Sequence, residues 1–282
     1  MATTMGGRAG FVTANGLRLH YVDWGNPARP HLLLVHGWDG TARYWDLVAP
    51  AFSERFHVVA LTLRGRGQSA VDPTGGYRFA DYLSDLWEAT QQLGMHRLTF
   101  VGASLGGLLA LPYTAQHAPQ VEKLALVDIG AQLGGARPSS YYAGMLNAPE
   151  QFATLQDAED WLRQWSLYVK LPAEGMAIVL REHFAPTAAG GWTWRFGHRL
   201  RAIQRTQTRE QLFPTQWHVL SQVSCPVLIV HGSRSESLLP EVAERTCSTL
   251  PRATLVTIPD CSHFPFLENP AALIKALRDF VG

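Results

Sequence analysis

The run Leu98–Leu111, Leu-Thr-Phe-Val-Gly-Ala-Ser-Leu-Gly-Gly-Leu-Leu-Ala-Leu, constrains the fold more than any other stretch of the chain. Leu98–Val101 is apolar and partly β-branched, which predicts a short buried strand. It stops at Gly102-Ala103-Ser104-Leu105-Gly106, and a good helix former, Gly107–Ala115, follows at once. This is Gly-x-Ser-x-Gly in the order strand, turn, helix. Glycines two before and two after Ser104 leave room for a strained turn that bulky neighbours would block. Ser104 is then expected at the carboxyl end of a strand, beside a helix N-terminus where negative charge is favoured. The pentapeptide alone fits equally well a small-residue turn with a surface serine, so the rest of the chain has to decide.

Continuous apolar runs alternate with helical patterns on both sides of this segment. Phe11–Ala14 and Leu17–Asp23 flank Asn15-Gly16, a strong hairpin signal. His31–Val35, Phe56–Leu61 and Val121–Val127 read as buried strands. Phe79–Leu93 reads as a helix with Leu83, Leu86, Trp87 and Leu93 on one side, and Thr41–Ser53 has apolar residues at helical spacing. The alternation resumes with a strand at Val227–Val230, a helix at Pro240–Leu250, a strand at Thr254–Ile258 and a helix at Pro270–Val281. The pattern predicts an α/β fold: a mostly parallel sheet with helices on both faces. In such a sheet ligands sit beyond the carboxyl ends of the strands. The segments around Trp38, Ser104, Asp128, Ser235 and His263 all fall there.

Bulk properties narrow the function classes. With 282 residues the chain can bury one large core plus an insertion. A net charge of +1 without a basic run speaks against nucleic acid and anionic membrane surfaces. No apolar stretch approaches the roughly 20 residues that span a bilayer. Residues 1–10 lack the apolar core of a secretory signal and are expected to be a disordered leader. Cys225, Cys247 and Cys261 are too few and too scattered for a disulfide framework or a zinc site, so a reducing cytoplasm is the default expectation.

A serine nucleophile needs a base, and the base needs an orienting acid. Of 11 histidines, only His263 lies in a loop between the last predicted strand and the last helix. That position fits the chain order serine, acid, histidine, whereas His20, His57, His96, His117 and His231 read as structural. An oxyanion hole needs two backbone N–H donors. Leu105 supplies one from the turn, and Trp38, in His36-Gly37-Trp38, is expected to supply the other, with His36 bracing the loop.

Taken together, His36-Gly37-Trp38 after one strand, Arg64-Gly65-Arg66-Gly67-Gln68-Ser69 after the next, Gly102-Ala103-Ser104-Leu105-Gly106-Gly107, and the late His263-Phe264-Pro265 resemble the α/β-hydrolase superfamily. The resemblance covers residues 11–130 and 224–282, which would form the core. Residues 131–223, rich in aromatics, resemble the variable cap of that superfamily. Short helices are expected there at Ala158–Val169, Glu174–His183 and Gly197–Thr206. The insertion reads as a lid, with a self-packed helical side domain as the alternative. As a lid it would bring Trp161, Trp165 and Trp194 to the substrate.

One departure stands out. Most of the superfamily carries the acid where this chain has Ser235, in His231-Gly232-Ser233-Arg234-Ser235-Glu236. Asp128, at the end of the strand after the turn helix, resembles the relocated acid of haloalkane dehalogenases, zearalenone lactonase and acetamidomethylene-succinate hydrolase. Glu236 is the alternative. The resemblance therefore implies a cofactor-independent serine hydrolase, with a small-molecule ester, lactone or amide as substrate and no metal. Acyl transfer, thioester cleavage and C–C bond hydrolysis use the same residues. A non-catalytic ligand receptor on this fold is the reading that Ser235 favours. The oligomeric state is open at this level.

Overall fold

The structure, a computed structural model, describes residues 6–134 and 144–282. Tyr141 and Tyr142, two of the insertion's aromatics, lie outside the described residues. One eight-stranded sheet organises the rest. Its strands are β1 (Arg8–Ala14), β2 (Leu17–Trp24), β3 (His31–Val35), β4 (His57–Leu61), β5 (Leu98–Ala103), β6 (Val121–Val127), and two later strands, Val227–Gly232 and Ala253–Ile258. The spatial order is β1-β2-β4-β3-β5-β6, then the two late strands in sequence order. The β1/β2 and β2/β4 pairs are antiparallel and the others parallel.

The hairpin forms at Asn15-Gly16, both with positive φ (49° and 77°), as a two-residue turn of this handedness requires. Strand β1 starts at Arg8, so the end of the expected leader belongs to the sheet: Arg8 pairs with Asp23 and Gly10 with Tyr21. Ladder bonds come from the backbone, so an apolar pattern does not register a polar strand start. Thr41–Ser53 is not one helix. It forms two 3-10 helices, Ala42–Trp45 and Ala49–Phe52, the second with Pro50, which lacks an N–H, in its first turn.

Both faces of the sheet are covered, which is why its strands are continuously apolar. Leu33 and Val35 of β3 face one cluster with Tyr82 and Leu86 of helix α1 (Phe79–Gln92) and Leu108 of α2 (Leu105–Gln116). Leu32 and Leu34 face the other, with Trp45, Phe52, Phe266 and Leu273. Alternate residues of one strand thus enter two cores.

The insertion contains helices α3 (Leu155–Leu162), α4 (Ala173–His183) and α5 (Gly197–Thr206). It also carries a three-stranded antiparallel sheet of Gln151–Phe152, Phe184–Pro186 and Trp192–Trp194, so it is not purely helical as expected. The short aromatic run at Trp192–Trp194 follows Gly190 and Gly191, both with positive φ, which turn the chain back for pairing.

Candidate active site

Ser104 sits between β5 and α2 at φ 50°, ψ −116°, a backbone conformation costing on the order of 1–3 kcal/mol. Its surroundings hold it there. The Ser104 N–H donates to the Val127 carbonyl at 3.1 Å, and the Ser104 carbonyl accepts from Gly107 and Leu108, each at 3.0 Å. A methyl group on Gly102 would lie 2.5 Å from the Gly106 carbonyl oxygen, and one on Gly106 would collide with the Val35 carbonyl. The glycine spacing is therefore a packing requirement of this turn.

The neighbouring turn, His36–Gly40, presses against it: a methyl on Gly37 would lie 3.1 Å from Ser104 Cβ. His36 braces that turn. Its Nδ1–H donates to the Gly37 carbonyl at 2.6 Å, and its Nε2 accepts the Leu63 N–H at 3.0 Å. Complete burial pushes its pKa down to about 3, so the ring is neutral, as its acceptor role at Nε2 requires. Arg66, fully buried, donates to the Trp38 carbonyl at 3.0 Å and lies 4.6 Å from the Trp38 ring. Arg64 makes a buried two-pronged bond to Asp85 at 2.6 Å on each arm. Arg66 thus braces the Trp38 turn directly, while the Arg64 side chain anchors the segment to α1 and its carbonyl accepts from Arg66 at 2.8 Å. Leu105 opens α2, so its N–H is among the helix's first donors, which have no partner within the helix.

Asp128 follows β6 with φ 52°, its N–H held by the Val230 carbonyl at 2.7 Å. His263 donates from Nδ1 to Asp128 Oδ2 at 2.7 Å. Asp128 is 0% exposed, and Ser104 and His263 are 6% exposed each. Asp128 Oδ1 accepts the Gly232 N–H at 2.9 Å, and Oδ2 also accepts the Ser235 hydroxyl at 2.5 Å. Glu236 is elsewhere: exposed, it accepts a hydrogen bond from Ser166 of the insertion at 2.9 Å. The alternative acid is therefore not brought to His263, because the loop after Val227–Gly232 turns Ser235 inward and Glu236 outward.

The His263 loop is clamped by Glu268, a residue sequence reasoning missed. Its carboxylate accepts from Ser262 N–H (2.8 Å), Ser262 Oγ–H (2.5 Å) and Phe264 N–H (3.1 Å), on either side of the histidine. Glu268 lies three residues past the His-Phe-Pro run, and a carboxylate at that spacing was the available signal. Burial raises the pKa of Cys261, so a neutral thiol stands beside this loop. Elsewhere, His20 bonds Thr62 at 2.9 Å and His117 stacks on Trp87 at 3.8 Å, both structural contacts.

Ser104 and His263 open into one cavity with Gly37, Trp38, Asp39, Leu133, Leu167, Ser237 and Phe264. Its volume is about 20 Å³, roughly the room one water molecule needs. Leu133 and Leu167 come from the insertion. Trp161, Trp165 and Trp194, expected at the substrate, are not among the residues that line this cavity. They pack on one another and on Phe152 and Phe184, with ring centroids 4.5–6.3 Å apart; Trp194 is buried, while Trp161 and Trp165 are half-buried against the apolar cluster that also covers one face of the sheet. A larger hollow lined by Trp24, Asp46, Leu47, Glu174, Ile178 and Arg181 contains none of Ser104, Asp128 or His263.

The insertion is fastened to the core on one side by a row of polar contacts. His183 Nε2 lies 2.9 Å from the Asp39 carbonyl, Thr41 donates to Glu182 at 2.8 Å, and Arg181 pairs with Asp46 at 3.0 Å. Among the described residues no cluster of three side chains could hold a metal ion, and no helix is long and apolar enough to cross a membrane.

A family profile describing the alpha/beta hydrolase fold matches residues 30–270. The chain is 27% identical over 288 residues to a 3-hydroxybutyrate-oligomer hydrolase of Cupriavidus necator, covering 98% of both chains. It is 28% identical over 257 residues to a pimeloyl-[acyl-carrier protein] methyl ester esterase of Nitrosomonas europaea, covering 87% of this chain and 93% of the relative. The crystal structure of an alpha/beta hydrolase from Novosphingobium aromaticivorans superposes with a TM-score of 0.85 at 23% identity, covering 98% of each chain. Sheet order, the strained serine turn and a profile match over most of the sequence agree: the chain belongs to the α/β-hydrolase family.

Proposed function

We propose that the protein is a serine hydrolase that cleaves a carboxylic ester or lactone of a mainly apolar small molecule through an acyl-enzyme. The observation that carries this reading is the buried His263 Nδ1–Asp128 Oδ2 bond at 2.7 Å, on a histidine that shares its cavity with Ser104. With Nδ1 protonated toward Asp128, Nε2 is left as the basic nitrogen. It takes the Ser104 proton as Oγ attacks the substrate carbonyl carbon. The N–H groups of Trp38 and Leu105 stabilise the oxyanion. His263 then gives the proton to the departing alkoxide, and a water, deprotonated by the same nitrogen, releases the acid and restores Ser104. Asp128 keeps the ring in the required tautomer and balances the transient imidazolium charge.

Two relatives support ester chemistry, one named for hydrolysing 3-hydroxybutyrate oligomers and one for hydrolysing a methyl ester. The receptor reading rested on Ser235 standing where an acid is usual. Ser235 instead donates to Asp128, the carboxylate bonded to His263, a contact that supports the hydrolase reading. Leu133 and Leu167, both from residues 131–223, line the cavity beside Ser104, which supports reading that segment as a lid over the site.

A fluorophosphonate probe, which phosphonylates activated serines, tests the reading. Wild-type protein is expected to be labelled at Ser104 and to turn over p-nitrophenyl acetate. Ser104→Ala is expected to lose labelling and roughly three or more orders of magnitude in rate while remaining folded. Undiminished labelling of Ser104→Ala overturns the assignment.

A further inference from the structure

Ser235 occupies a place where its hydroxyl has no freedom of direction. A serine hydroxyl has one hydrogen to donate and two lone pairs to accept with. The Ser237 and Leu238 N–H groups donate to Ser235 Oγ at 3.1 and 3.0 Å, taking both lone pairs. The hydrogen that remains meets Asp128 Oδ2 at 2.5 Å, and a carboxylate oxygen only accepts. The bond therefore runs one way, from Ser235 to Asp128.

The consequence falls on the plane of the carboxylate. The Asp128 backbone is held by its bond to Val230, and Oδ1 is held by the Gly232 N–H at 2.9 Å. The carboxylate turns about χ2, a soft torsion, and one bond at Oδ1 narrows that torsion without fixing it. Ser235 supplies the further restraint, on Oδ2, the oxygen that faces His263 Nδ1. Its neighbours do not share the task. Arg234 pairs with Asp260 at 3.1 Å and Glu236 binds Ser166.

We propose that Ser235 is a positioning residue: its hydroxyl, oriented by the loop N–H groups, sets the carboxylate plane of Asp128 so that Oδ2 meets His263. This rests on Asp128 serving as the acid of the proposed hydrolase. Ser235 does not line the cavity at Ser104, so its effect reaches the substrate only through Asp128 and His263.

The experiment is a double-mutant cycle with p-nitrophenyl acetate, alongside thermal unfolding to verify that each variant is folded. Ser235→Ala is expected to lower kcat about tenfold, with KM within about twofold, the size of effect one charge-assisted hydrogen bond commonly has. Ser235→Thr keeps the hydroxyl and is expected to restore kcat. In an Asp128→Asn background, Ser235→Ala is expected to cost nothing further, because the group it acts through has already lost its charge. An unchanged kcat in Ser235→Ala overturns the proposal, and so does an equal loss in both backgrounds, which would place the effect outside Asp128. Full activity in Asp128→Asn instead overturns the reading of the acid itself, so the two failures are distinguishable.

Discussion

The hydroxyl of Tyr168, in the insertion, donates to the carboxylate of Asp39, the residue immediately after Trp38 in the core turn beside Ser104. Both groups are buried, Tyr168 at 0% and Asp39 at 4% exposure. The bond ties the segment carrying Leu167, which lines the cavity, to the turn assigned to the oxyanion hole. Removing the donor while leaving a buried carboxylate is costly. Tyr168→Phe is therefore expected to lower unfolding free energy by about 1–3 kcal/mol, read from urea denaturation. It is also expected to slow hydrolysis, because the turn loses a support. An unaltered denaturation midpoint would show that the contact contributes nothing.

The two candidate carboxylates differ sharply in environment, and their variants are expected to differ accordingly. Asp128→Asn lets His263 adopt the wrong tautomer, and the rate is expected to fall by up to about four orders of magnitude. Asn tolerates the positive φ at 128, so the fold is expected to persist. Glu236→Gln touches only an exposed bond to Ser166 and is expected to change the rate by less than about twofold. Steady-state kinetics of both variants on one ester decide the matter, and the reverse ranking would return the acid role to Glu236.

For the insertion's tryptophans the packing changes the expected phenotype from selectivity to stability. Trp194 is 4% exposed, contacts Phe184 at 4.5 Å and donates from Nε1 to the Pro149 carbonyl at 2.7 Å. Trp194→Ala is expected to cost about 3–5 kcal/mol of stability. Its activity is expected to fall to a similar extent on acetate and longer esters, since the side chain does not line the cavity. A change in chain-length preference with unaltered stability would put Trp194 back in the substrate's path.

Acid lability follows from two buried histidines. Burial pushes the pKa of His36 down to about 3 and that of His20 to about 4, against 6.5 for the free side chain. Between these values and 6.5 the unfolded chain binds more protons than the folded one, so stability rises with pH across the window. The stabilisation is complete above pH 6.5 and is lost as pH falls toward 4 and then 3. Each histidine contributes a slope of about 1.4 kcal/mol per pH unit within its window. Urea denaturation at pH 7 and pH 5 is expected to show a lower midpoint at pH 5. In His20→Gln the difference is expected to shrink, and a pH-independent midpoint would contradict the buried neutral state of both rings.

How much of this was legible in the sequence depended on the range of the interactions involved. The strand–turn–helix at Leu98–Leu111 could be read directly, because apolar runs and glycine spacing act over a few residues. The same holds for the Asn15-Gly16 hairpin and for the terminal helix Pro270–Val281, whose bounds agree with the observed ones. By themselves, the residues determined a mostly parallel α/β sheet with Ser104 and His263 beyond its strand ends. They did not determine which carboxylate meets His263. Asp128 and Glu236 both follow strands, and the choice is made by a loop that turns Ser235 inward, across 135 positions of chain between Asp128 and His263. Nor did aromatic content reveal which rings face the cavity. Trp161, Trp165 and Trp194 sit at positions compatible with a lid or with a self-packed core, and a one-dimensional pattern gives apolar spacing but not the surface it is buried against. Only the tertiary packing decided that these rings pack on one another while Leu133 and Leu167 line the cavity at Ser104, because burial is a property of neighbours distant in the chain.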